Sequence, residues 1–306
     1  MISFILIAAV SLAVLLYASD LFIESAEKIG LSLGISPFVI GVTIVAFGTS
    51  LPELAASIAS VYCGTSEIVV GNVVGSNITN ILLVLGLTSM VGKSINLDFD
   101  LWSVDMPLLL GSSFLMFFVL QDAKFTLIEA VLFLAALVGF LINSVANSVP
   151  DENIDRPKVV FTDILKLILG GVMVYFGAKY TIVGIEGCSN EAGISPEIIS
   201  LTFVALGTSL PEVVVSIAAA KRGKHAIAVG NVLGSNIFNT YAVMAIPSFI
   251  GELYIPENVI AFGLPFMVAM TIMFGVMTFS RKICVWEGFL LLIFYCYYLA
   301  QQFSNI

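Results

Sequence analysis

Apolar residues run through this chain in long blocks, and the polar breaks between them fall at charged or Gly/Pro-rich clusters. Blocks of about 20 residues match the roughly 30 Å hydrocarbon layer that an α-helix must cross. Ten spans follow from this pattern: 2–24, 37–61, 67–91, 102–120 and 125–145, then 160–187, 196–220, 226–250, 259–279 and 284–302. The expected fold is therefore an all-α polytopic membrane protein. A first five-helix repeat occupies 1–145, a linker 146–159, and a second five-helix repeat 160–306. The linker carries Asp151, Glu152, Asp155, Arg156 and Lys158 without the glycine a tight calcium loop wants, so it is expected to be solvated chain.

The basic residues orient these spans. Lys28, Lys93, Arg156, Lys158, Lys166, Lys221, Arg222, Lys224, Arg281 and Lys282 lie in or beside the odd-numbered loops, and only Lys124 and Lys179 do not. By the positive-inside rule the odd loops are cytoplasmic and both termini lie outside. Five helices per half is an odd number, so the second half enters the membrane inverted relative to the first. The halves also share sequence. Residues 34–80 align with 193–239 without a gap, and 28 of the 47 positions are identical.

Composition narrows the possibilities. Hydrophobic residues make up 59% of the chain and charged residues 11%, with no charged or Pro/Gly/Ser-rich stretch long enough for a separate soluble domain. A net charge of -9 argues against a nucleic-acid partner, which would need clustered Lys and Arg. No obligatory protein partner is evident. Cys63, Cys188, Cys284 and Cys296 show no CxxC pairing and are expected to be packing residues rather than disulfides or metal ligands. The first apolar run lacks a basic leader and a clear cleavage site, so it is expected to be a retained helix. His225, in a short basic loop, is expected at the surface.

The conserved spacing between halves centres on chemistry that a bilayer penalises. Gly48-Thr49-Ser50-Leu51-Pro52-Glu53 recurs 159 positions later as Gly207-Thr208-Ser209-Leu210-Pro211-Glu212. An ionisable side chain inside a span costs several kcal/mol and marks a functional site by default. Each proline removes a helix N–H and frees the carbonyl four residues earlier, that of Gly48 or Gly207. Thr49 shares a helix face with Glu53 and Ser57, as Thr208 does with Glu212 and Ser216. A second motif places Asn72, Ser76 and Asn80, and again Asn231, Ser235 and Asn239, at four-residue intervals, drawing a polar stripe along each helix. A third, Gly-Ile-Ser-Pro at 34 and 193, places Ser at a helix cap and Pro in the first turn. An inverted two-fold axis would gather both hexapeptides and both stripes at the midplane, on interrupted helices with unwound carbonyls. Two carboxylates amid hydroxyl, amide and carbonyl oxygens, without His or Cys, describe a site for hard cations: one divalent ion, or sodium ions in its place.

These motifs resemble the α-repeats of the calcium/cation antiporter superfamily, specifically the sodium/calcium exchanger branch, of prokaryotic type without a regulatory domain. The proton/calcium branch carries a different, GNATE-like motif that is absent here. The resemblance implies a ten-helix antiporter of the cell membrane rather than an enzyme. It exchanges Na+ for Ca2+ by alternating access, three sodium ions for one calcium ion, with the first and sixth helices sliding against a fixed core. The ions are cargo and no cofactor is implied. Carried over by position, calcium falls to Glu53, Glu212, Thr49 and Thr208. Flanking sodium sites use the Ala46 carbonyl, Thr49, Ser76 and Glu53, and the Ala205 carbonyl, Thr208, Ser235 and Glu212. Ser50, Ser209, Asn80 and Asn239 also fall in the motifs, beside Asn72 and Asn231 of the stripes. Potassium-dependent members have aspartate where this chain has Asn239, which argues against potassium cotransport. Exchange of protons or of other divalent cations is the alternative.

Overall fold

The computed structural model describes residues 2–97, 99, 101–146, 157–191 and 196–304, with only the backbone path at 189, 196–206 and 303–304. Most of the ion-binding expectation falls inside this range. The linker cluster lies largely outside it, as do Gly193, Ile194 and Ser195 of the second capping motif.

Helices account for nearly all of the described chain. They are α1 (Ile2–Ser32), α2 (Pro37–Tyr62), α3 (Glu67–Val91), α4 (Asp105–Val119), α5 (Leu127–Ala146), α6 (Phe161–Glu191), α7 (Pro196–Lys221), α8 (225–248), α9 (Val259–Thr278) and α10 (Val285–Ser304). Of these α1, α2, α3, α5, α6 and α9 are long and apolar enough to cross a membrane. At 15 residues, α4 is shorter than an ordinary span. Boundaries repeat at the interval of the motifs: α1 and α6 start and stop 159 residues apart, and so do α2 and α7.

The first helix runs past its expected end near residue 24 to Ser32. Hydropathy stops at Asp20, Glu24, Glu27 and Lys28, but charge does not stop a helix whose acids have partners. The start of α2 is as expected: Ser36 accepts a hydrogen bond from the Val39 N–H and Pro37 occupies the first turn.

Neither hexapeptide is unwound, contrary to the interrupted helices expected there. The α-helix passes through Pro52 and Pro211. Membrane helices tolerate proline where neighbouring groups re-satisfy the freed backbone. The irregularity lies elsewhere, in π-helical turns at Gly41–Val45, Asn80–Val84 and Asn239–Val243. The latter two begin on the last asparagine of each polar stripe. A π-turn is a frequent companion of a functional site.

Two apolar clusters hold the helices. The larger surrounds α3 and α8, with Val73, Ile78, Ile81, Val232 and Ile237 fully buried. Within its most apolar window α3 is 78% buried, against 22% for α1, so α3 is central and α1 peripheral. The smaller cluster joins α1 and α6 to the inner faces of α2, α7 and α8.

The α1–α6 contact is a close antiparallel zipper. Cβ atoms built at Gly170, Gly177 and Gly184 of α6 would approach Phe22, Leu15 and Ala8 of α1 to 3.1, 3.0 and 2.6 Å. Both sets are spaced by seven, the repeat that keeps two helices in register. Small residues at such a seam let membrane helices pack backbone to backbone.

Outside the helices, Ile95–Asn96 and Lys282–Ile283 form a short antiparallel ribbon. His225 is part-exposed, in keeping with the surface place expected, and its Nδ1 accepts a hydrogen bond from the Asn96 N–H at 3.2 Å beside that ribbon. The four cysteines are free, but Cys63 and Cys296 are exposed rather than packed as expected.

Candidate cation site

Each carboxylate is delivered by the helical spacing of its motif. Thr49, Glu53 and Ser57 fall on one face of α2 and are fully buried, together with Ser50 and Ala46. On α7, Ser209, Glu212 and Ser216 are equally buried, with Thr208 half-buried beside them.

Hydrogen bonds tie each stripe to the hexapeptide-bearing helices of both halves. On one side Asn72 Nδ2 donates to Ser57 Oγ at 3.2 Å and to the Glu53 carbonyl at 3.4 Å. Its Oδ1 accepts from Thr208 Oγ1 at 3.3 Å, and Ser76 Oγ lies 3.5 Å from the same threonine. The other side repeats this. Asn231 Nδ2 donates to Ser216 Oγ at 2.9 Å, and its Oδ1 accepts from Thr49 Oγ1 at 3.0 Å. Ser235 Oγ lies 3.4 Å from Thr49 Oγ1. Thr49 also points back at the Ala46 carbonyl, 3.3 Å away. Each asparagine thus binds the serine one turn beyond the hexapeptide of its own half and holds the threonine of the other.

The two halves meet directly. Ser50 Oγ donates to Glu212 Oε1 at 3.1 Å, one helical turn from Glu53 on α2. The equivalent bond from Ser209 to Glu53 is not made: Ser209 Oγ, both carboxylate oxygens of Glu53 and Oε2 of Glu212 are buried without a hydrogen-bond partner. Asn80 and Asn239, at the heads of the two π-turns, have both amide atoms in the same condition. Ala205 lies on the stretch of α7 where only the backbone path is described.

Two buried carboxylates without a counter-charge are costly, by several kcal/mol per ion even after relaxation. Among the described residues no Lys, Arg or His pairs with either, and no group of three His, Cys, Asp or Glu is assembled. The surrounding oxygens are those of hydroxyls, amides and main-chain carbonyls. Such a set suits cations that prefer oxygen, and its compensation is positive charge from a small ion.

Sequence reasoning singled out the stripes but passed over the residue that follows each serine. Asn77 Nδ2 donates to Thr240 Oγ1 at 2.9 Å, joining α3 to the π-turn of α8. The position in α3 equivalent to Thr240 is Ile81, and Asn236 is left buried with neither amide atom paired. Both asparagines stand in the Gly-Ser-Asn triplets, yet lie about 100° around the helix from the stripe, where the four-residue spacing does not look.

Comparison with known proteins agrees with this geometry. The family model described as sodium/calcium exchanger protein matches residues 3–146 and 163–304. The chain belongs to the sodium/calcium exchanger family. The sodium/calcium exchanger MaX1 of Methanosarcina acetivorans is 33% identical to this exchanger over 97% of the chain and 98% of its own length. The inner membrane protein YrbG of Escherichia coli is 30% identical over 89% of the chain and 88% of its own. Among solved structures, the sodium-calcium exchanger NCX_Mj soaked with 2.5 mM Na+ and 0.1 mM Ca2+ superimposes with a TM-score of 0.86 at 33% identity, covering 98% of both chains. The exchanger is therefore a helical membrane transporter of prokaryotic type, and both family segments contain one hexapeptide and one stripe.

Proposed function

We propose that this chain is a secondary antiporter that exchanges sodium for calcium across the cell membrane by alternating access. The observation that carries it is the pair Glu53 and Glu212, fully buried, uncompensated by any basic group among the described residues and brought together from two repeats. Cargo that replaces their lost hydration must be cationic and must leave again, which favours a transported ion over a resident one. In this scheme Glu53, Glu212, Thr49 and Thr208 hold calcium. Sodium uses the Ala46 carbonyl with Ser235 beside Thr49, and the Ala205 carbonyl with Ser76 beside Thr208. Each threonine faces the serine of the other half rather than that of its own, with Ser50 and Ser209 as further hydroxyl ligands. Asn72 and Asn231 hold the threonines in place, while Asn80 and Asn239 offer amide oxygens at the centre. Neither ion acts as a cofactor.

The ten helices form two inverted five-helix repeats with both termini outside. The common 159-residue interval and the antiparallel course of α1 and α6 support this arrangement. The inner-membrane relative supports a multi-pass place in the cell membrane. With three sodium ions against one calcium ion each cycle moves one charge, so transport is electrogenic and suited to calcium extrusion.

Calcium-45 uptake into liposomes containing the purified protein is the test. Uptake should require sodium inside and fall when the sodium gradient is removed, with or without potassium. Uptake that ignores sodium and follows a pH gradient would instead establish proton/calcium exchange.

A further inference from the structure

The peripheral α1–α6 pair meets the rest of the molecule through two unlike contacts. Midway along, it borders an apolar crevice of about 710 Å3 walled by Phe22, Phe47, Leu51, Leu141, Leu167 and Phe176. At one end it is held by charge. Arg222 Nε lies 3.0 Å from Asp20 Oδ1 and its Nη1 lies 2.5 Å from Glu24 Oε1, while Lys224 pairs with Glu27. Asp20, Glu24 and Glu27 follow one another on a single face of α1. Arg222 and Lys224 flank Gly223, whose φ of 72° makes the tight turn between α7 and α8. A fourth pair, Lys28 with Asp163 at 2.7 Å, joins α1 to α6 and so stays within the pair.

The other half contains the same turn without the charges. Gly64 has a φ of 78°, but its neighbours are Cys63 and Thr65. The positions of α6 equivalent to Asp20, Glu24 and Glu27 are Lys179, Val183 and Glu186. If the α1–α6 pair moves between two mirror-related arrangements, only the arrangement seen here gains these ion pairs.

We propose that Arg222 and Lys224 are positioning residues: by clasping Asp20, Glu24 and Glu27 of α1 they favour one access state over its mirror image and make the exchange cycle asymmetric. This rests on the alternating-access scheme above. The clasp is partly exposed, with side-chain accessibilities of 21–60% in the pairs from the α7–α8 turn, so it loosens as ionic strength rises.

The test separates the clasp from transport itself. Spin labels at Leu33→Cys and Lys221→Cys, both exposed positions, in a background without the native cysteines, report the distance between the end of α1 and the α7–α8 turn. In the parent, raising choline chloride should shift the population toward a longer distance about three- to ten-fold. The paired change Arg222→Gln with Lys224→Gln should reproduce this shift at low salt, and should change the cytoplasmic-side KM for calcium more than the maximal rate. Lys224→Glu alone should lengthen the distance, and reversing that one-to-one pair, Lys224→Glu with Glu27→Lys, should restore the parental distribution. Distances indifferent to both salt and neutralisation, or a reversed pair that restores nothing in a protein that elutes and melts like the parent, overturn the clasp. Loss of sodium-dependent uptake in the parent would overturn the antiport scheme while leaving the distance measurement to judge the clasp.

Discussion

Among the described acids Glu53 and Glu212 alone are fully buried, with no described basic group paired to either, and removing either charge should matter more than removing any neighbour. Glu53→Gln and Glu212→Gln keep side-chain volume and are expected to lower sodium-dependent calcium uptake at least about 100-fold, while thermal unfolding in detergent stays near or above the parental value. Thermal stability lost in step with uptake would assign the glutamates to the fold instead. Asn239→Asp adds a third acid to the buried site, where the parent has an unpaired amide. Exchange by that variant should acquire a pH dependence and altered cation selectivity, measured as calcium uptake against competing ions from acid to alkaline pH. The motif residues were legible because oxygen-bearing side chains at four-residue spacing are conspicuous in an apolar run. The links of Asn72 to Thr208 and of Asn231 to Thr49 were not, since they cross between helices far apart in sequence.

The elements carry less information in their sequence than the site does. Apolar blocks located every helix, and Ser36 with Pro37 marked the start of α2. Hydropathy ended α1 early because it counts Asp20, Glu24 and Glu27 as breaks, whereas they are paired side chains on a continuing helix. The prolines misled in the opposite sense: helices continue through them, and the π-turns at Asn80 and Asn239 have no breaker residue to announce them. The zipper between α1 and α6 yields a direct prediction. Gly184→Leu would force a side chain into the α1 backbone at Ala8, where even a Cβ finds only 2.6 Å. Overpacking of this kind costs about 1–3 kcal/mol or more, so the thermal transition should fall and exchange should fall with it. Gly111→Ala, where a Cβ meets nothing within 4 Å, is the matched control and should leave both unchanged.

For the molecule as a whole, the proposed exchange of three sodium ions for one calcium ion would move one charge per cycle and give voltage a direct hold on transport. A membrane potential contributes about 2.3 kcal/mol per elementary charge for each 100 mV. Valinomycin-set potassium potentials in liposomes should therefore speed or slow calcium uptake according to their sign, and a voltage-indifferent rate would require electroneutral exchange. The length of the peripheral helices has a further consequence. Each of α1 and α6 has 31 residues, about 46 Å of helix, beside a hydrocarbon layer of roughly 30 Å. A zipped rod of that length answers hydrophobic mismatch by tilting, while shorter helices such as α4 cannot follow it equally. Bilayer thickness thus becomes an input to the exchanger, set by the acyl chains of the lipids around it.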